Sequence, residues 1–213
     1  MPAAPRLSCT IDHLVITAPS LEAGADYIRE TLNVELSAGG AHARMGTHNR
    51  LLRLGDCVYL EVIAIDPAAP VPPRTRWFGL DALATDAKPR LATWVARVND
   101  IRAAAADSPA LFGEIESMSR GGLEWLITVP RDGSLVCDGV MPPLIEWHSD
   151  AHPATRLADT GCKLIALEAR HPDADRISAA LHAINCEGAL NLRRGDRAEL
   201  VAVIETPSRR RAL

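Results

Sequence analysis

The sequence predicts an α+β fold of repeated βαβββ modules, in which a curved mixed sheet carries helices on its outer face. Two observations support that fold class. A strand-like run of alternating apolar residues is followed by a run of helical period and then by two more strand-like runs. The same order returns later in the 213 residues, and a third time in shortened form. The modules span about 9–66, 91–148 and 162–206 of one domain, residues 1–213. The third reads as a βαββ-like copy.

In the first module, Cys9–Thr17 alternates, with Ile11, His13 and Val15 on one face and Leu14 and Ile16 on the other. Pro19 and Ser20 stop it, and Ser20 is placed to cap the next element. Leu21, Ala25, Ile28 and Leu32 then recur at helical spacing, and Asn33 ends the helix. A Gly/Ala/His-rich connection leads to strands at Asn49–Leu54 and Cys57–Ile65, turned at Gly55-Asp56.

In the second module Leu91–Val98 is the strand, and Asn99-Asp100 caps a short alanine-rich helix through Ala106. Glu114–Ser117, Glu124–Val129 and Leu144–Trp147 follow as strands. The third has a strand at Lys163–His171, a helix opened by Pro172 and Asp173 with Ile177, Leu181 and Ile184 on its apolar face, and a strand at Glu199–Thr206. Residues 67–90 are too proline-rich for regular structure, and because they hold Trp77 and Phe78 they read as a loop packed over the fold.

Composition bounds the function. With 47% hydrophobic and 23% charged residues this is the profile of a soluble globular protein, and a net charge of −4 gives no general attraction to nucleic acid or anionic membrane. There is no leader-like start and no apolar run of membrane-spanning length. The five cysteines are scattered and lack CxxC spacing, which fits reduced thiols in the cytoplasm rather than a disulfide framework. No phosphate-binding glycine loop, GxSxG elbow or HExxH motif is present, so hydrolase and nucleotide-binding readings lose support.

Within this frame His13 and Glu61 stand out. A histidine and a carboxylate facing inward from two strands of one curved sheet can form half of a divalent metal site. Glu61 lies amid Tyr59, Leu60, Val62 and Ile63, and needs a partner if it is buried. The competing readings are a hydrogen-bonded core histidine and an exposed strand face on which Glu61 pairs with Arg50 or Arg53. Superposing the second module on the first places Thr93 where His13 stands and Glu146 where Glu61 stands; the separations are 53 and 48 residues respectively.

The motifs DHLVI at 12–16, GTHNRLLRLGD at 46–56, YLEVIAIDP at 59–67, RWFGLD at 76–81 and PPLIEW at 142–147 resemble the vicinal oxygen chelate superfamily, and more narrowly its glyoxalase-like branch. The resemblance implies the glyoxalase/bleomycin resistance/dihydroxybiphenyl dioxygenase fold, with paired modules curled into a half-barrel. It also implies a metal-dependent lyase, isomerase or dioxygenase that polarises a small oxygen-rich molecule by Lewis-acid catalysis. The metal, one of Zn, Ni, Co, Mn or Fe, is expected on His13, Glu61 and Glu146, since Thr93 is a poor ligand.

His48 is the expected base. Asn49, Trp77, Phe78, Thr93, Trp125 and His148 are the expected substrate contacts, although a His-Asn pair also suits a turn and tryptophans more often pack a core. The alternative function is a metal-free protein of the same fold that sequesters a small apolar or aromatic ligand. The expected partners are a small molecule and, through open sheet edges, a second copy of the chain as a homodimer.

Overall fold

The structure is a computed structural model that describes residues 6–106, 108–149, 152–186 and 188–213. Residues 1–5, on which the reading of the chain's start partly rests, lie outside that description. The first module comprises β1 (Cys9–Thr17), α1 (Leu21–Leu32), β2 (Ser37–His42), β3 (Thr47–Arg53) and β4 (Tyr59–Ile65). The second comprises β5 (Arg90–Val98), α2 (Ile101–Ala106), α3 (Pro109–Phe112), β6 (Glu114–Arg120), β7 (Leu123–Val129) and β8 (Leu144–Trp147). After α4 (Pro153–Arg156) the third runs β9 (Lys163–His171), α5 (Ala174–Ala183), β10 (Asn191–Arg194), β11 (Glu199–Glu205) and β12 (Arg210–Ala212).

Local chemistry sets several boundaries as predicted. The Ser20 hydroxyl accepts the Ala23 N–H at 3.1 Å at the start of α1, and Asn33 closes it in a left-handed conformation with φ 58°. Asp100 accepts the Ala103 N–H at 2.9 Å at the start of α2. β2 was not predicted. Its sequence, SAGGAH, has no β-branched residue, and it is held as an edge strand by antiparallel pairing to β3.

The first two modules share one eight-stranded mixed sheet in the order β2-β3-β4-β1-β5-β8-β7-β6. β1 and β5 meet antiparallel at its centre, with His13 opposite Val95 and Val15 opposite Thr93. That crossing relates the two halves and confirms Thr93 as the counterpart of His13. The sheet curls until its two edges face each other: Arg120 on β6 reaches His42 on β2 and Asn49 on β3.

Opposite faces of the sheet bury different sets. On the convex side Leu14, Ile16, Leu60 and Trp94 pack with Ile28 of α1 and Ile101 of α2. Trp94 is fully buried, with its indole N–H donating to the Val140 carbonyl at 3.0 Å. The third module joins this layer through Leu167, Ile177 and Ile204. It forms a separate sheet, β10-β9-β11-β12, one strand more than a βαββ copy has, with β10 and β12 not located from the sequence. On the concave side Val15, Ile63, Val95, Trp125 and Ile145 meet Trp77 and Phe78 from the 67–90 segment.

One prediction from composition is corrected. Cys9 and Cys186 form a disulfide that joins the start of β1 to the residues after α5. They lie 177 residues apart in sequence, a separation that carries no spacing signal, and folding brings their Cα atoms to 4.6 Å. Cys57, Cys137 and Cys162 are free. Among the described residues no helix is long and apolar enough to cross a membrane.

Candidate functional site

The concave face holds a set of polar groups that an apolar core does not tolerate without compensation. Asp12, His13, His42, Asn49 and Glu61 are all buried. The exposed-face reading of Glu61 therefore fails: it is 5% exposed, and Arg53 pairs with Asp56 instead. His13 lies between two carboxylates. Its Nδ1–H donates to Asp12 Oδ1 at 2.7 Å, and its Nε2 lies 3.6 Å from Glu61 Oε2. Tyr59 stacks on the ring with centroids 4.5 Å apart.

Asp12 is the anchor. Besides His13 it accepts the Trp147 indole N–H at 2.9 Å and the His152 Nε2–H at 2.9 Å. The His152 tautomer follows from its Nδ1, which accepts the Ala154 N–H. Strict alternation would turn Asp12 away from His13. The pairing of β1 with β5 shifts register between Ile11 and His13, and this irregularity lets two neighbouring side chains bond each other.

The charges follow from these contacts. Burial opposes ionisation of all three groups, and the hydrogen bonds overcome it. Bonds from His13 and His152 hold Asp12 well below the usual carboxylate range. Bonds to Asp12 and Glu61 raise His13 to about 9, and the bond from His13 lowers Glu61 to about 2. At neutral pH the cluster is carboxylate, imidazolium, carboxylate.

Asn49 secures Glu61 from the other side, its Nδ2 donating to Oε1 at 2.5 Å. Its Oδ1 accepts the Gly40 N–H at 2.8 Å and the Arg120 Nη1–H at 3.0 Å. That arrangement needs glycine at 39, where a Cβ would lie 2.1 Å from Asn49 Oδ1 and 2.4 Å from the Asn49 carbonyl oxygen. Gly39→Ala is expected to push Asn49 off Glu61 and destabilise the chain by about 1–3 kcal/mol, measured by urea unfolding. An unchanged midpoint would show that the amide is dispensable.

His42 is the second histidine of the cup. Its Nδ1 donates to Thr47 Oγ1 at 3.1 Å, so Nε2 is left to accept from Arg120 Nη1 at 2.8 Å. Burial lowers it to about 4, with Arg120 adding to the effect and Glu61 opposing it, and the ring stays neutral. Trp77, Phe78, Trp125 and Trp147 close the space around these groups. About 20 Å³ remains, enough for a water-sized group.

Several expected site residues are elsewhere. Glu146 faces the convex side, where Oε2 accepts the Ile101 N–H at 2.7 Å and Oε1 meets His148 Nε2 at 2.8 Å. The inward residues of β8 are Ile145 and Trp147; the pairing makes Leu144 the counterpart of Val62, so the superposed modules were out of register by an odd number of residues, which exchanges the faces. His148 is accordingly outside the cup. His48 follows the same rule: one residue before inward-facing Asn49, it turns away, with Nδ1 3.9 Å from Asp66 Oδ1. Thr93 points inward, but its hydroxyl donates to the Gly139 carbonyl at 2.9 Å.

The resemblance implies a metal in the cup. His13, His42 and Glu61 are chemically apt donors. Their arrangement does not fit. Glu146 is absent from the cup, the lone pair of His42 Nε2 already accepts from a guanidinium cation, and among the described residues no group of three His, Cys, Asp or Glu is placed to hold a metal ion.

The sequence reading missed Asp12, His42, His152 and Arg120. His42 sat in an unrecognised strand, and Arg120 lay three residues past the predicted end of β6. Only Asp12 lay within a motif singled out from the sequence.

A family model described as "Glyoxalase-like domain" matches residues 11–184. No curated protein sequence matches the chain. Among solved structures, a hypothetical protein from Staphylococcus aureus is similar over 90% of this chain and 88% of its own, with a TM-score of 0.61 and 13% identity. A methylmalonyl-CoA epimerase from Streptomyces coelicolor covers 67% of this chain and 100% of its own, at 20% identity and a TM-score of 0.45. The corresponding figures for an epimerase of the same name from Mycobacterium tuberculosis are 64%, 87%, 17% and 0.43. The first likeness shows the fold; the other two carry no argument about activity.

Proposed function

The chain belongs to the glyoxalase-like domain family of the vicinal oxygen chelate superfamily, and from that premise we propose that it is an isomerase- or lyase-type enzyme. In this reading it moves a proton at a carbon beside a carbonyl of a small oxygen-rich molecule bound in the cup. One observation carries the proposal: a buried imidazolium, fixed by Asp12, shares a cavity with the carboxylate of Glu61. Such a pair costs desolvation energy, and a well-packed apolar pair would serve stability equally well.

Asp12 holds the ring so that His13 Nε2 faces Glu61. A substrate carbonyl oxygen that accepts the Nε2–H bond lies against the imidazolium, which stabilises the negative charge developing on that oxygen as the C–H bond breaks and its proton passes to Glu61. Taking that bond also removes from Glu61 the partner that keeps its carboxyl near 2. Burial then raises it toward the range in which a carboxylate accepts a proton from carbon. Asn49 keeps the other oxygen in place. Any molecule larger than water needs the Trp77–Phe78 segment to shift.

The test is deuterium exchange into hydroxyketones and 2-oxo acids in D2O, followed by NMR. Exchange by the wild type that falls about 100-fold or more in Glu61→Gln supports the proposal. Absence of exchange, together with a rise in melting temperature for apolar aromatic compounds, would establish the sequestration reading instead. Stoichiometric metal in protein purified without chelator, lost in a His13→Ala/Glu61→Ala double variant, would return the activity to Lewis-acid chemistry.

A further inference from the structure

Two residues that line the cup carry donors without the partner their chemistry calls for. The Arg120 guanidinium bonds His42 Nε2 and Asn49 Oδ1, both uncharged. Among the described residues no carboxylate oxygen lies within ion-pair distance of it, whereas Arg44 and Arg74 on the same rim both pair with Glu116. The indole Nε1 of Trp77 is buried without any hydrogen-bond partner, although the residue is only 3% exposed. Buried donors are left unsatisfied so rarely that each one needs an explanation.

Both residues line the cavity that also holds His13 and Glu61. An acceptor-only ligand would satisfy the two donors together, and an anionic oxygen would satisfy Arg120 in charge as well. A cationic ligand would meet the guanidinium unfavourably, and an apolar one would leave the indole N–H unpaired. Resting on the proposed function, and naming its substrate class, we propose that the cup selects small molecules bearing a carboxylate or enolate oxygen, held by Arg120 and the Trp77 N–H. In this reading Arg120 supplies the positive charge that the resemblance assigns to a metal, from the opposite edge of the curled sheet.

Formate and formamide test this directly, because they share a shape and differ in charge. In 15N-labelled protein at constant ionic strength, formate is expected to move one of the four tryptophan indole resonances downfield, and that resonance is missing in Trp77→Phe. Formamide is expected to leave it unmoved. Arg120→Gln should weaken formate at least tenfold, and Arg120→Lys, which keeps the charge, should retain part of the affinity; the remaining amide peaks report that each variant is folded. Equal shifts with formamide, a moving signal from another tryptophan, or unchanged affinity in a folded Arg120→Gln would each overturn the proposal. The parent reading fails separately: Glu61-dependent exchange into the uncharged dihydroxyacetone, unaffected by Arg120→Gln, would keep the enzyme and remove the anion. Formate binding through Arg120 without Glu61-dependent exchange would do the reverse.

Discussion

Replacing His13 with alanine is expected to destabilise the protein by about 3–5 kcal/mol, because it leaves Asp12 and Glu61 as buried carboxylates without their shared cation. The cost should depend on pH in a specific way. The His13 imidazole is raised from 6.5 to about 9 on folding, so its contribution is complete below pH 6.5 and is lost as pH rises through 9. Glu61 is lowered from 4.5 to about 2, so its contribution is complete above pH 4.5 and is lost as pH falls through 2. In the variant, Glu61 has lost its cation and burial raises it, which favours the folded variant at low pH. The gap between wild type and variant should be widest between about pH 4.5 and 6.5 and should narrow toward pH 9. Urea unfolding across that range measures it. A gap independent of pH would mean that the ring contributes only packing.

Asp12→Ala is expected to rank beside it. The substitution removes the shared acceptor of two buried donors, His13 Nδ1 and His152 Nε2, and of the half-buried Trp147 Nε1. At about 1–3 kcal/mol for each unsatisfied group, the loss is on the order of 3 kcal/mol or more. NMR titration of the His13 ring adds a readout that loss of packing alone would not move. With Asp12 gone, the ring should titrate below its wild-type value, because only Glu61 remains to hold the charge. Melting with an unaltered His13 titration would sever the proposed link between the two residues.

Much of the scaffold was legible in the sequence. Apolar alternation located β1, strand-like apolar runs located β4, β5 and β8, and the spacing of Leu21, Ala25, Ile28 and Leu32 located α1. These periods report which residues share a face, and burial of that face fixes the element. The same rule singled out His13 and Glu61, because a polar residue on an apolar face has to be paired. β2 was missed because its glycines carry no periodic signal, and Glu146 was misplaced because a register error of an odd number of residues exchanges the faces of a strand.

The sequence by itself determined the repeated modules and their main strands and helices, the family and one half of the cup. Only the tertiary structure decided what completes it. Asp12 joins His13 through a register shift between strands, and His152 arrives from 140 residues away. Arg120 reaches His42, 78 residues distant, because the sheet curls edge to edge. None of these contacts leaves a period or a spacing in the chain, since local pattern encodes the face of a strand but not the curl of the sheet. For the same reason the cup is completed by Arg120 from the edge strand β6, while Glu146 on β8 faces the other side of the sheet.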